Sequence, residues 1–180
     1  RLRIVLGSAF LFNAGFTFFT TFFGVYLRNN FDFNAGKTGD YFALVGLFIA
    51  LTQAVFVGRV AKRLADWKVL RFSLFGTGIV MFIYFFSPTD TSLYIYLTIP
   101  FFTFFNGLSM ANMGALVSRS AEMGRQGEAM GIYSSVQSLA QVPASVLVGY
   151  IATTITSATP LVVSGSCIVA AGLLFVLFFK

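Results

Sequence analysis

Histidine is absent from all 180 residues. Its absence removes the commonest metal ligand, the usual catalytic base and the side chain whose charge changes nearest neutral pH. Any proton chemistry therefore falls to carboxylates, and these are scarce: Asp and Glu number 6 against 12 Lys and Arg, and only 10% of residues are charged. The single cysteine, Cys167, can form no disulfide within the chain and lies among small and apolar residues, which suits a packing role.

What the sequence does hold is apolar surface. Hydrophobic residues make up 57% of it, a composition that calls for lipid as solvent. A bilayer-crossing helix takes about 20 apolar residues, so a chain of this length with short connections has room for roughly six spans and no soluble domain. The formal charge of +6 would point to nucleic acid in a soluble domain; in a membrane protein its distribution reports topology instead, and no nucleic-acid partner is expected. The sequence opens at Arg1 almost inside its first apolar run, as expected of one part of a longer chain.

Six runs stand out: 4–27, 38–57, 72–86 (extended to 70–87, with Pro88 as a stop), 93–117, 129–151 and 161–179. Short polar or turn-rich segments separate them: RNNFDFNAGK, GRVAKRLADWKVLR, SPTDTS, SRSAEMGRQGE and TTITSATP. Alternating sides puts Arg1, Arg3, Arg59, Lys62, Arg63, Lys68, Arg71, Arg119, Arg125 and Lys180 on one face and only Arg28 and Lys37 on the other. The basic face is expected to be cytoplasmic, with both termini there and the protein multi-pass in a cell or plasma membrane. The fold class is thus all-α, a bundle of six transmembrane helices covering residues 1–180.

Amide side chains divide the spans, because an amide facing lipid would lack partners. Asn13 lies in span one, Gln53 in two, Asn106 and Asn112 in four, and Gln137 and Gln141 in five; spans three and six have none. Three and six are expected to be peripheral, the other four to build an interior or partner-facing surface. The pattern repeats as three plus three.

Helical spacing aligns Asn13, Thr17, Thr20 and Gly24 in one polar stripe. Either it lines a cavity, or the threonines bond back to the preceding turn and Asn13 pairs with a neighbouring helix. In span four, Phe102, Asn106, Ser109 and Met113 share a face that suits an adaptable organic-ligand surface or, for Phe102, ordinary packing. Ser134, Gln137 and Gln141 share a face of span five, where Pro143 should bend the helix, as Pro100 should in span four. Small residues from Gly39 to Gly58, and Gly127, Gly131 and Ser135, let another backbone approach. Asp40 is a candidate proton-coupling group or a complement to the helix N-terminus. Asp66 falls within a turn of Lys62 and Arg63, so a local ion pair is expected if that loop is helical.

The segment LTQAVFVGRVAKRLADWKVLRF resembles the second span, inner loop and third span of a major facilitator half, with Gly58, Arg63 and Leu70 fitting the loop signature. Lys62 stands where that signature has an Asp, and Ala65 where it has its second Gly. Such a degenerate copy resembles the C-terminal half, spans seven to twelve. GEAMGIYSSVQSLAQVPASVLVGYI is similar to an eleventh span of drug-exporter and tetracycline-resistance-like members, with Gly127, Glu128, Gly131, Pro143 and Gly149 in register.

The resemblance implies an inverted 3+3 repeat and alternating access, with a cavity lined by the first and fourth spans of each half and an N-terminal six-helix half as partner. It implies proton-coupled efflux of a small amphipathic solute, an inner-loop gate at Gly58, Arg63 and Asp66, no cofactor and no metal. No enzymatic activity is expected: an intramembrane serine protease needs a histidine the chain does not have. A transport-incompetent receptor or assembly partner of the same fold remains the alternative, since no charge falls mid-membrane.

Overall fold

A computed structural model describes residues 2–89, 91–154 and 158–179. Arg1 and Lys180, assigned above to the basic face, lie outside the described residues, as do Asp90 of SPTDTS and residues 155–157 of TTITSATP. The described chain is helical throughout: α1 (Leu2–Phe31), α2 (Ala35–Leu51), a π-helical segment (Thr52–Val57), α3 (Gly58–Arg63), α4 (Asp66–Phe86), α5 (Leu93–Ser120), α6 (Gln126–Thr154) and α7 (Thr159–Phe178). Among the described residues, α1, α4, α5, α7 and the continuous helix Ala35–Val60 are long and apolar enough to cross a membrane. The sixth, α6, has the length but breaks its apolar run with Ser134, Ser135, Gln137, Ser138, Gln141 and Ser145.

Local chemistry sets the helix ends. After α1 the chain turns at Asp32, whose φ of 52° is tolerated by a short polar side chain, and the Phe33 amide closes back on the Leu27 carbonyl. Asn34 then caps α2 by accepting from the Lys37 amide at 2.8 Å. Extended backbone at Leu64 and Ala65 separates α3 from α4, so span three begins at Asp66 rather than at Leu70.

Helices α1, α7, α4 and α5 pack successively into a core, with α6 against α1 and α5 and with α2 and the π segment along α5. Exchanging spans one, two and three with four, five and six converts α1 on α7 into α5 on α4, and α1 on α6 into α5 on α2. The extensive contacts therefore obey a two-fold relation between the two triplets. Gly15 lets α1 approach α7 closely, since a Cβ there would lie 2.8 Å from the Ser164 carbonyl oxygen.

Aromatic side chains fill the centre. Phe19 lies 4.9 Å from Phe102 and 4.4 Å from Phe23, ring centre to ring centre. Tyr26 donates to the Tyr84 carbonyl at 2.7 Å, and the Tyr41 and Tyr84 hydroxyls meet at 2.9 Å. The first of these bonds serves a carbonyl near the end of α4, where the intrahelical ladder stops. These three buried tyrosines tie α1, α2 and α4 together.

Within these six helices, span three, without amides, is more buried than the amide-bearing span two. Half of the most apolar window of α4 is buried, against 17% for span two. A helix without amides packs on the core through Ser73, Gly76 and Thr77 while turning Phe72, Ile79, Ile83 and Phe86 outward. The second span, with Gln53 in its π segment, and α6 instead leave most of their surface open.

Candidate functional site

The π segment re-aims span two. One inserted residue turns Thr52 inward, where it is buried against Gly107 of α5: a Cβ on that glycine would lie 3.1 Å from the Thr52 methyl. Gln53, next in sequence, is exposed. The small positions Gly39, Ala43, Gly46, Ala50, Ala54 and Gly58 are all exposed, and no atom lies within 4 Å of where a Cβ would stand on the three glycines. Gly127 and Gly131 of α6 are equally open.

Between α1 and α6 the polar side chains divide. Asn13 is buried, donates to the Ala9 carbonyl at 2.7 Å and accepts from Gln137 Nε2 at 3.4 Å. Thr17 bonds back to the Asn13 carbonyl at 2.8 Å, and Thr20, which is exposed, to the Phe16 carbonyl at 3.1 Å. Gln137 is half-buried and has buried Tyr133 as a further polar neighbour. Ser134 and Gln141 on the same side of α6 are exposed, so a polar strip runs from the buried Asn13 amide out onto an open helix face.

The span-four candidates sit differently. Phe102, Asn106, Ser109 and Met113 are all fully enclosed in these six helices. Phe102 belongs to the aromatic centre, and Ser109 bonds Ser73 of α4 at 2.9 Å. Asn106 donates toward the Met110 sulfur at 3.8 Å, while its Oδ1 has no hydrogen-bond partner among the described residues. Met110, beside that face, is exposed. Pro100 and Pro143 lie inside α5 and α6, both exposed.

At the basic end the local pairing expected for Asp66 does not occur. The extended backbone at Leu64 and Ala65 breaks the helical spacing that would bring it to Lys62 or Arg63. Asp66, 5% exposed in the first turn of α4, pairs instead with Arg119 at the end of α5, at 2.7 Å. Arg63 is exposed and Gly58 unobstructed. Arg125 binds Glu128 through two bonds of 2.8 Å, which holds the Glu128 carboxyl below the usual carboxylate range, chiefly by hydrogen bonding and then by charge. Asp40, at the opposite end, is exposed.

Sequence reasoning missed Ser73, Arg119 and the π segment. Only tertiary packing gives the first two their partners, and no residue pattern marks the third.

A chain of membrane-length helices with two-fold related contacts and no strand among the described residues is an integral membrane protein of the multi-pass helical class. Its family is the Major Facilitator Superfamily, whose model matches residues 5–180; the chain belongs to that family of membrane transporters. It is also similar to Hippocampus abundant transcript-like protein 1 of Rattus norvegicus, with 24% identity over 142 residues, 74% of this chain and 25% of that protein. The chain thus spans about a quarter of that relative's length.

Proposed function

We propose that these six helices are the C-terminal half of a secondary active transporter that moves a small organic solute by alternating access. The observation that carries this reading is the Asn13–Gln137 contact, which links a buried amide on α1 to the open polar face of α6. Amide groups left facing hydrocarbon would be costly. A cavity between two halves gives Gln137, Gln141, Ser134 and Thr20 water or solute to bind. Open small-residue faces on α2 and α6 give the other half close approach. Asn13 and Thr17 stand behind the strip, while Phe102, Ser109 and Met113 support it from within the core.

Proton-coupled efflux of amphipathic compounds is the finer form of the proposal, with Asp40, an exposed carboxylate in the second turn of α2, as the coupling group. The inner gate is assigned to the basic end, where the Asp66–Arg119 pair joins the start of α4 to the end of α5. Solute uptake into vesicles by the full natural protein tests the site: Gln137→Leu should lower transport at least about tenfold with insertion unchanged, a loss near 1.4 kcal/mol. Unaltered kinetics in Gln137→Leu and Gln141→Leu would remove the α6 strip from the site. Asp40→Asn should abolish the response to an imposed proton gradient; a full response would exclude Asp40 from coupling.

A further inference from the structure

The outer surface carries a second feature unrelated to the polar strip. Between α4 and α5 runs an apolar trough of about 680 Å³, floored by Phe75 and Val80 and walled by Phe72, Ile79 and Ile83 on one side and Phe101 and Phe105 on the other. Its basic end differs from the rest: Trp67, Lys68 and Arg71 close it, and no acidic residue lines it. The Lys68 ammonium lies 5.3 Å and the Arg71 guanidinium 4.7 Å from the centre of the Trp67 ring. Arg71 also donates from Nη2 to the Phe179 carbonyl at 2.9 Å, yet its Nε has no acceptor among the described residues. The nearest acid in sequence, Asp66, is committed to Arg119. Two cations therefore stand at the mouth with no carboxylate among the described residues that line it.

Two neighbouring grooves supply the contrast. One of about 560 Å³ continues toward the opposite end of α4, past Phe86, Pro88, Tyr94 and Thr98. Another of about 510 Å³ lies between span two and α5. Both are as apolar as the first, and neither is lined by a charged residue. A ligand that needs only grease would fit all three, whereas one with a negative head and a long apolar tail fits the first alone. From Lys68 to Ile83 the helix rises roughly 22 Å, enough to lay an acyl chain across the roughly 15 Å hydrocarbon half of one leaflet. Trp67 is the second residue of α4, so a bilayer crossing over Asp66–Phe86 puts it at the headgroup boundary that an indole favours.

We propose that this trough is a binding site for one anionic phospholipid of the leaflet on the basic side, with Lys68 and Arg71 on the phosphate and an acyl chain along Phe72, Ile79 and Ile83. The site is separate from the solute face, and its test is independent of transport. Full natural protein is equilibrated with equal phosphatidylglycerol and phosphatidylcholine, and the lipids retained after a detergent wash are counted by native mass spectrometry. Wild type should retain phosphatidylglycerol over phosphatidylcholine by about fivefold per unpaired cation. Lys68→Gln should lower that preference by about fivefold, and Ile83→Trp, which fills the trough, should reduce retention of both lipids. Millimolar inorganic phosphate should leave the lipid in place, because the tail carries much of the binding.

Equal retention of the two lipids by wild type would overturn the proposal, and that comparison needs no variant to fold. Unchanged preference in Lys68→Gln, or unchanged retention in Ile83→Trp, would overturn it as well. Displacement by phosphate alone would make this an anion site rather than a lipid site. Protection of the trough by the rest of the protein would show as no retained lipid, which also overturns it.

Discussion

Asp66 at the start of α4 and Arg119 at the end of α5 form a 2.7 Å ion pair in which the carboxylate is 5% exposed and the guanidinium 71%. The two ends differ in what they lose when the pair is broken. Removing Arg119 leaves a buried anion held only by the N-terminal turn of its helix, while removing Asp66 leaves a cation in water.

Arg119→Gln should therefore destabilise the protein by about 1 kcal/mol, the modest figure appropriate to a pair with one solvated partner. Asp66→Asn should cost less than Arg119→Gln. Thermal unfolding of the two single variants and the double variant closes the cycle. Additive losses would show that the contact contributes no coupling.

At Gly15 α1 packs closely on α7. An alanine methyl there would lie 2.8 Å from the Ser164 carbonyl oxygen and 2.9 Å from Ile168, and the backbone oxygen cannot swing aside as a side chain would. Gly15→Ala should cost about 1–3 kcal/mol through helix separation, and Gly15→Val should abolish stable folding. Gly39→Ala, with nothing near its Cβ, should leave the folded yield unchanged in these helices. Fluorescence-detected size exclusion compares the three, and equal yields for Gly15→Ala and Gly39→Ala would contradict the packing argument.

The spans were legible because hydrocarbon length and apolar runs are local properties, as at Leu93–Ser120, where sequence and structure agree at the first residue. The polar strip of α6 was legible for the same reason, since Ser134, Gln137 and Gln141 share a face by helical period alone. Whether a face points inward was not legible for α5, because Ser109 meets Ser73 only once α4 has packed beside it. Asp66 is the clearest case: its sequence neighbours Lys62 and Arg63 are basic, yet its partner lies on another helix. The π segment was hidden because Thr52–Val57 has the composition of any apolar helix.

Glu128 gives a pH prediction with a definite sign. Arg125 holds its carboxyl below the ordinary range, so the pair supports the first turn of α6 above that range and ceases to do so as pH falls through the lowered value. The protection of the amides in that turn, relative to their intrinsic exchange at each pH, should fall on acidification through the lowered carboxylate range. In Glu128→Gln the protection should lose this acid step. A step that survives the substitution would assign the titration to another carboxylate such as Glu122.

Ser73 and Ser109 offer a way to separate packing from solute contact. Both hydroxyls are fully buried, and they meet at 2.9 Å between α4 and α5. Ser73 also donates to the Leu70 carbonyl, at 3.2 Å, so it keeps a partner when Ser109 becomes alanine. Ser109 has no second partner of that kind among the described residues, so Ser73→Ala strands a buried hydroxyl and should cost more than Ser109→Ala. The difference should be about 0.5–1 kcal/mol, in keeping with hydrogen bonds between membrane helices. Because Ser109 faces α4 rather than α6, Ser109→Ala should leave the apparent KM for solute unchanged while Gln137→Leu raises it or abolishes transport. A KM change in Ser109→Ala equal to that in Gln137→Leu would place the solute between α4 and α5, and the α6 strip would lose its claim to the site.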